Sequence, residues 1–508
     1  MIHRRSLGWP VGGVLLVLTL LGLALRVWNI GGQTLLPDEG SSIFFARLPL
    51  STLACSLCDP HPPGFYLLLA LWQRLTDSEG WLRLPSVLAG TLAIPLTWLV
   101  ARTVLHPLTA DEDPRPGQIG LLAAALLAAA PIAVWYSREI RPYALLALLA
   151  LALVWAGLRW RLHPDGRHAA AYLVTGWLAL GTEYGALGVC FLLNLWLLTG
   201  WPWRATPHRA DWPRRWLALQ AALLLPFGLW WALSAQPQAL RQMSYQAIFL
   251  AVQLQKLGVD WTPATARGVI VLVGAMGAAL AAGLALLIRR SPRARAWLRG
   301  PVARTCVILA LIALSLLGML PRLYTVKRHL NVLLPLLTMA AAWAVLWPQR
   351  RRAWLPGSGL VTLLLALSAV MLMIAPRVPW REVVTTLAQQ ARPGDTIWVD
   401  ELDAPAFGYY WDERGPWQPL RARDLAALTR TSAAGRTWLV GSVTPYRDLR
   451  QTLPASFAAQ HIAATAFSWE DTVVTAYVAT PEVQTSAEPP LPLRWGLAIQ
   501  SPLDVVCR

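Results

Sequence analysis

The feature that most constrains this chain is a series of long runs of hydrocarbon side chains almost free of charge. Examples are GVLLVLTLLGLAL (13–25), LLAAALLAAAPIAV (121–134) and GLVTLLLALSAVMLMI (359–374). Backbone groups in a bilayer must be satisfied within the protein, so such runs become helices, and about twenty residues suffice to cross. The runs predict eleven spans, at 8–28, 84–101, 118–135, 143–158, 169–181, 185–199, 216–233, 266–288, 305–320, 330–347 and 359–375. The first lacks a small-residue cleavage site and is expected to be retained as a span. PPGFYLLLALWQRL (62–75) is short for a span and reads as an interfacial or re-entrant helix.

Arginine orients these spans. With the N-terminus in the cytoplasm, the cytoplasmic segments carry Arg4 and Arg5, Arg102 and Arg115, Arg159 to Arg167, Arg204 to Arg215, Arg289 to Arg299, and Arg350 to Arg352. Every second loop is Arg-rich, as the positive-inside rule demands. A full crossing by 62–75 would invert every later loop. The formal net charge of +17 is therefore a topology signal and calls for no nucleic acid. The 28 Trp residues suit the aromatic belts of a bilayer. An odd number of spans leaves the chain after residue 376 outside the cytoplasm. There WREVVTTLAQQARPGDTIWVD (380–400) reads as an amphipathic helix, a turn and a strand, and 437–442 and 472–479 read as further strands. The expected architecture is an α-helical polytopic membrane protein. Residues 1–376 form the membrane domain with a long first outer loop (29–83), and 377–508 form a small extracytoplasmic α/β domain.

Within that layout, LLPDEGSSIFFA (35–46) sets Asp38 and Glu39 side by side. The same predicted face collects Asp59, His61, Arg138, Glu139, Arg141, Glu183, Lys327 and Arg328. Charge near a membrane is costly and usually faces a cavity or a partner. Arginine forks and a lysine suit phosphate oxygens. A carboxylate beside them suits deprotonation of an attacking hydroxyl, with the lipid phosphate as leaving group, in an inverting displacement. Asp38 is the candidate base, and Glu39 could orient the acceptor or raise its neighbour's basicity. Each signal alone has a plainer account: a helix cap for Asp38-Glu39, a salt-bridged helix end for 137–143, and headgroup contacts for 327–329. Their shared side favours a joint site.

The order of DE, DPHPPGFYLLLALWQRL (59–75), EGWLRLPSVLAGTLAIPLTWLVAR (79–102) and WYSREIRPYALLALLAL (135–151) resembles bacterial polytopic glycosyltransferases of the GT-C superfamily. The nearest branch is the protein-O-mannosyltransferase and lipid A aminoarabinose transferase group. The resemblance continues more weakly through KRHLNVLLPLL (327–337). It implies a polyprenyl-phosphate sugar as donor, and a glycolipid, polysaccharide or protein as acceptor, in the plasma or inner membrane. It makes Asp38 the base, with Glu39 beside it. It assigns donor-phosphate or substrate binding to Asp59, His61, Arg138, Glu139, Arg141, Tyr184, Lys327 and Arg328. No metal ligand set is assigned and no cofactor is certain; family members differ in using a divalent metal.

Two features depart from the family pattern. Glu183-Tyr184 stands where relatives often carry His-Tyr. Cys55 and Cys58 precede DPHPP and suit a disulfide, two inert thiols, or a metal site with Asp59 and His61. The rival reading is a polyprenyl-lipid transporter or flippase. Charged or broken helices at mid-membrane would mark it, whereas here the charges gather at one end.

Overall fold

The computed structural model describes residues 9–54, 61–106, 113–199, 212–235, 290–291, 301–318, 331–347, 354–374, 379–411, 414–420, 436–442, 461–469 and 472–479. In chain order the helices are α1 (Trp9–Val27), α2 (Pro37–Ala46), α3 (Leu50–Ala54), α4 (Gly64–Trp72), α5 (Glu79–Leu105) and α6 (Arg115–Ala129). They continue with α7 (Pro131–Tyr136), α8 (Tyr143–Leu162), α9 (Gly166–Thr182), α10 (Gly185–Thr199) and α11 (Trp212–Trp230). After these come α12 (Pro301–Gly318), α13 (Leu334–Leu346), α14 (Trp354–Ile374), α15 (Trp380–Gln390) and α16 (Ala404–Trp411). Ten of the eleven expected runs are thus helical over most of their length; 266–288 lies outside the described residues. Among the described residues, Glu79–Leu105, Tyr143–Leu162, Trp212–Leu233 and Trp354–Met373 are long and apolar enough to cross a membrane. Shorter apolar helices cover Val11–Val27, Arg115–Ala129, Gly185–Trp196 and Asn331–Leu346.

The bundle is organised around α5, which packs on α1, α6 and α8. Small residues let these helices approach, as they do in lipid. A Cβ on Gly90 would lie 1.9 Å from Ser137 Oγ, and one on Gly22 would lie 2.3 Å from Ile94 Cδ1. The run 118–135, expected as one helix, is broken between α6 and α7. Pro131 has no N–H to donate, and Ala130 before it is pushed to an extended conformation (φ −69°, ψ 124°). Side chains take up carbonyls at the break: Arg26 Nη1 donates to Ala128 O (3.3 Å) and Ser368 Oγ to Ala129 O (2.7 Å). α4, predicted to stop short of a crossing, is nine residues long and packs on α2 and α9.

The C-terminal part carries a small mixed sheet of β1 (Thr396–Asp400), β2 (Gln418–Leu420), β3 (Thr437–Ser442), β4 (His461–Trp469) and β5 (Thr472–Ala479). Its order is β2-β1-β3-β5-β4, with β1 parallel to β2 and β3, and β5 antiparallel to β3 and β4. The predicted amphipathic helix is α15, which buries Trp380, Val383, Val384 and Leu387 at helical spacing. The turn after it uses Gly394 at φ +95°, a conformation that favours glycine.

Among the described residues two large apolar cores result, beside a small cluster of Leu15, Ile94, Trp98, Ala124 and Ala128. One fills the bundle, from Val100 and Leu126 to Leu153 and Leu364. The other joins the first loop to the C-terminal part: Leu35, Ile43, Phe45, Phe65 and Tyr66 pack with Trp380, Phe407, Trp411 and Trp438. The helix carrying the paired acids therefore lies between α4 and the C-terminal helix α16.

Candidate active site

α2 begins where the sequence tells it to. Pro37 occupies the first turn, where its missing N–H costs nothing, and Asp38 and Glu39 favour the positive end of the helix dipole. The two acids then part company. Glu39 is 1% exposed and its carboxylate accepts four hydrogen bonds. Oε2 accepts from the Leu36 amide (2.9 Å) and Arg83 Nη2 (2.8 Å); Oε1 accepts from Arg83 Nε (2.8 Å) and the Ile140 amide (3.0 Å). Asp38 is half-buried one residue earlier, and its own carbonyl accepts from Ser42 Oγ (3.0 Å).

Arg83 was not singled out from the sequence, although a cation in the apolar stretch WLRLPSVL was the available signal. Besides its bidentate pair with Glu39, it donates to the carbonyls of Ile30 (2.6 Å), Gln33 (2.8 Å) and Thr34 (3.2 Å). The guanidinium thus ties the loop before α2 to the start of α5. Burial makes this pair costly to form and costlier to break.

The turn between α7 and α8 brings Arg138, Glu139 and Arg141 to the same place. Arg141 Nη1 donates to Ser42 Oγ (3.2 Å) and Asp38 O (3.4 Å), and its Nη2 donates to Tyr143 Oη (3.2 Å). Ser86 Oγ on α5 donates to Arg141 O (3.1 Å), which fixes the turn. Arg138 Nη1 caps the end of α1, donating to the carbonyls of Leu25, Arg26 and Trp28 at 3.3, 3.1 and 2.6 Å. Burial and the nearby Arg83 cation pull Arg138 down to about 10, which leaves it charged at neutral pH. Glu139 accepts from Trp135 Nε1 and is 3% exposed. Burial first, then repulsion from the Glu39 and Asp38 carboxylates, pushes it up to about 8. Glu39, Arg83, Arg138 and Glu139 line a cavity of about 20 Å³, room for a single water.

His61 is buried at the entry to α4, where close packing holds the backbone. A Cβ on Gly64 would lie 2.6 Å from Gly181 O at the end of α9. Tyr184 follows that helix end, with its ring edge on Phe227 (centroids 6.3 Å apart), and Glu183 Oε2 accepts from the Gly185 amide (2.6 Å). Asp59, Lys327, Arg328, Cys55 and Cys58 lie outside the described residues. Among the described residues, no group of three or more His, Cys, Asp or Glu is placed to hold a metal ion. A second, apolar cavity of about 370 Å³ sits between α5, α8, α10 and α13, lined by Val104, Val154, Leu193, Leu336 and Trp343 among others.

Comparison with known proteins gives a family match over part of the chain. Residues 50–206 match the model of the N-terminal domain of the protein O-mannosyl-transferase TMEM260. Over that stretch, the chain resembles a protein O-mannosyl-transferase. The match encloses His61, Arg83, Arg138, Glu139, Arg141 and Tyr184, and supports the GT-C resemblance read from the motifs. No curated protein matches the chain by sequence. Among solved structures, ArnT from Cupriavidus metallidurans bound to undecaprenyl phosphate aligns over 93% of this chain and 98% of its own, at 16% identity and a TM-score of 0.43. The oligosaccharyltransferase of Archaeoglobus fulgidus, in complex with Zn and sulfate, aligns over 92% and 73%, at 12% identity and a TM-score of 0.49. The S. cerevisiae protein O-mannosyltransferase Pmt1-Pmt2 complex bound to its sugar donor covers 51% of this chain and 36% of that one, at 18% identity and a TM-score of 0.33.

Proposed function

We propose that this chain is a multi-pass membrane glycosyltransferase that moves a sugar from a polyprenyl-phosphate donor to an acceptor at the outer face, with Asp38 as base. The observation that carries the reading is the placement of Asp38 in the first turn of α2, beside Arg141 and on a helix that its neighbour anchors. Glu39 pins the helix through Arg83, Leu36 and Ile140, and Asp38 is half-buried one residue earlier on it. In the proposed step the acceptor hydroxyl gives its proton to Asp38 and its oxygen attacks the anomeric carbon. The bond from that carbon to the phosphate oxygen breaks, and polyprenyl phosphate leaves with the electron pair. The inverting outcome follows from a single displacement.

Arg141, which reaches the first turn of α2, supplies positive charge beside Asp38. His61, Lys327 and Arg328 are proposed to meet the donor phosphate, with Asp59, Arg138, Glu139 and Tyr184 shaping its surroundings. Apolar walls make the cavity of about 370 Å³ a fitting seat for prenyl chain. The proposed layout keeps eleven spans, a cytoplasmic N-terminus, a membrane domain over 1–376 and an outer domain over 377–508.

The test uses full-length protein in lipid with a panel of polyprenyl-phosphate sugars, following release of polyprenyl phosphate. Asp38→Asn is expected to lower release by roughly 10²–10⁴-fold while donor binding survives. Unchanged release by Asp38→Asn would remove the base assignment. Donor binding without turnover by wild type would favour a lipid carrier.

A further inference from the structure

Among the described residues, five hydrogen bonds join the C-terminal part to the first loop, and all land near the two ends of that loop. The Leu35 amide, two residues before Pro37, donates to Tyr410 Oη on α16 (2.8 Å). Tyr410 Oη in turn donates to Glu79 Oε1 at the start of α5. Glu79 Oε2 accepts from Arg381 of α15, which also donates to Gly31 O (3.2 Å). Beside them, Tyr409 Oη donates to Asp77 O. Residues 31–35 lead into the Asp38 helix and 77–79 lead out of the loop, so the C-terminal residues bridge its entrance and exit. The approach is close: a Cβ on Gly40 would lie 2.5 Å from Ala406 N.

A helix as short as α2 has no intrinsic stability in isolation, so tertiary contacts set its pose. Leu36 offers no side-chain cap, and the backbone amides ahead of the helix are held from outside it or by its third residue. Glu39 holds the Leu36 amide and Tyr410 holds the Leu35 amide. We infer that Tyr410 is a positioning residue for Asp38: its hydroxyl, oriented by Glu79 and Arg381, fixes the entrance of α2 and with it the direction of the Asp38 carboxylate. The inference rests on the proposed role of Asp38 for its catalytic consequence, but the clasp itself is a structural claim. It makes the C-terminal part a component of the active site's framework without touching the reacting atoms.

The experiment compares wild type, Tyr410→Phe, Glu79→Gln and the double variant, full length in lipid nanodiscs. Four quantities are read: hydrogen exchange at the Ser41–Ile43 amides, whose own partners no substitution removes, kcat, donor KM and Tm. Tyr410→Phe removes the hydroxyl's bonds to the Leu35 amide and to Glu79, and is expected to speed exchange and lower kcat about tenfold each. Donor KM and Tm stay within error, and Glu79→Gln adds little on top of Tyr410→Phe. Unchanged exchange at these amides overturns the clasp. Faster exchange with kcat untouched overturns the positioning role, as does a fall in kcat matched by equal changes in Tm and donor KM. If Asp38→Asn itself keeps full turnover, the base assignment has failed, and the exchange data alone still decide whether Tyr410 holds α2.

Discussion

Two carboxylates hold the Asp38 helix in place, and they do so in different surroundings. Glu39 meets Arg83 in the interior, with side-chain exposures of 1% and 3%. Glu79 meets Arg381 at the edge of the C-terminal part, where the arginine is 48% exposed and the glutamate 8%. The first pair is bidentate and local to the loop and α5. The second is monodentate and joins segments some three hundred residues apart. The difference teaches that equal charge pairs do unequal work. An interior pair that loses one member strands a desolvated charge, whereas water and salt replace an exposed partner.

The sharpest test of that contrast is Arg83→Met. It leaves Glu39 buried without its cation and frees the carbonyls of Ile30, Gln33 and Thr34, so a stability loss of about 3–5 kcal/mol is expected in denaturation of the lipid-embedded protein. A loss below about 1 kcal/mol would erase the distinction, since exposed pairs cost that much. Gly40→Ala comes next. A methyl group there collides with the Ala406 backbone, and about 1–3 kcal/mol is expected, with α16 shifted away from α2. Unchanged stability would show that the seam between the loop and the C-terminal part is looser than the interior pair by more than its charges suggest.

Glu139 sharpens the comparison through pH. Its folded value near 8 lies above the usual 4.5, so the folded state binds the extra proton. Its contribution is present in full below about 4.5 and is lost as pH rises through 8. Wild type is expected to lose thermal stability across that window, and Glu139→Gln to flatten the loss; parallel curves for the two proteins would reject the assignment. The smallest effect belongs to Arg381→Ala. It should cost about 0.2–1 kcal/mol, shrinking further in high salt, measured by the same denaturation. A cost equal to that of Arg83→Met would collapse the contrast from the other side.

The sequence by itself determined the helical layout of the bundle and the amphipathic α15, because hydropathy and its period are written along one dimension. It also gathered Asp38, Arg138, Glu139 and Arg141 at one end, since each sits where an apolar run stops. Tertiary structure decided what each of them does. Asp38 and Glu39 are chemically alike neighbours, and only the arrival of Arg83 and the Ile140 amide makes Glu39 the buried anchor of the helix. The break at Pro131 turned an expected single span into two helices, and Arg26 and Ser368 take up the last carbonyls of the first. Tyr410 and Arg381 gave no local sign of belonging to the first loop. Hydrogen bonds across more than three hundred residues are set by packing in three dimensions, and no local pattern of residues encodes them.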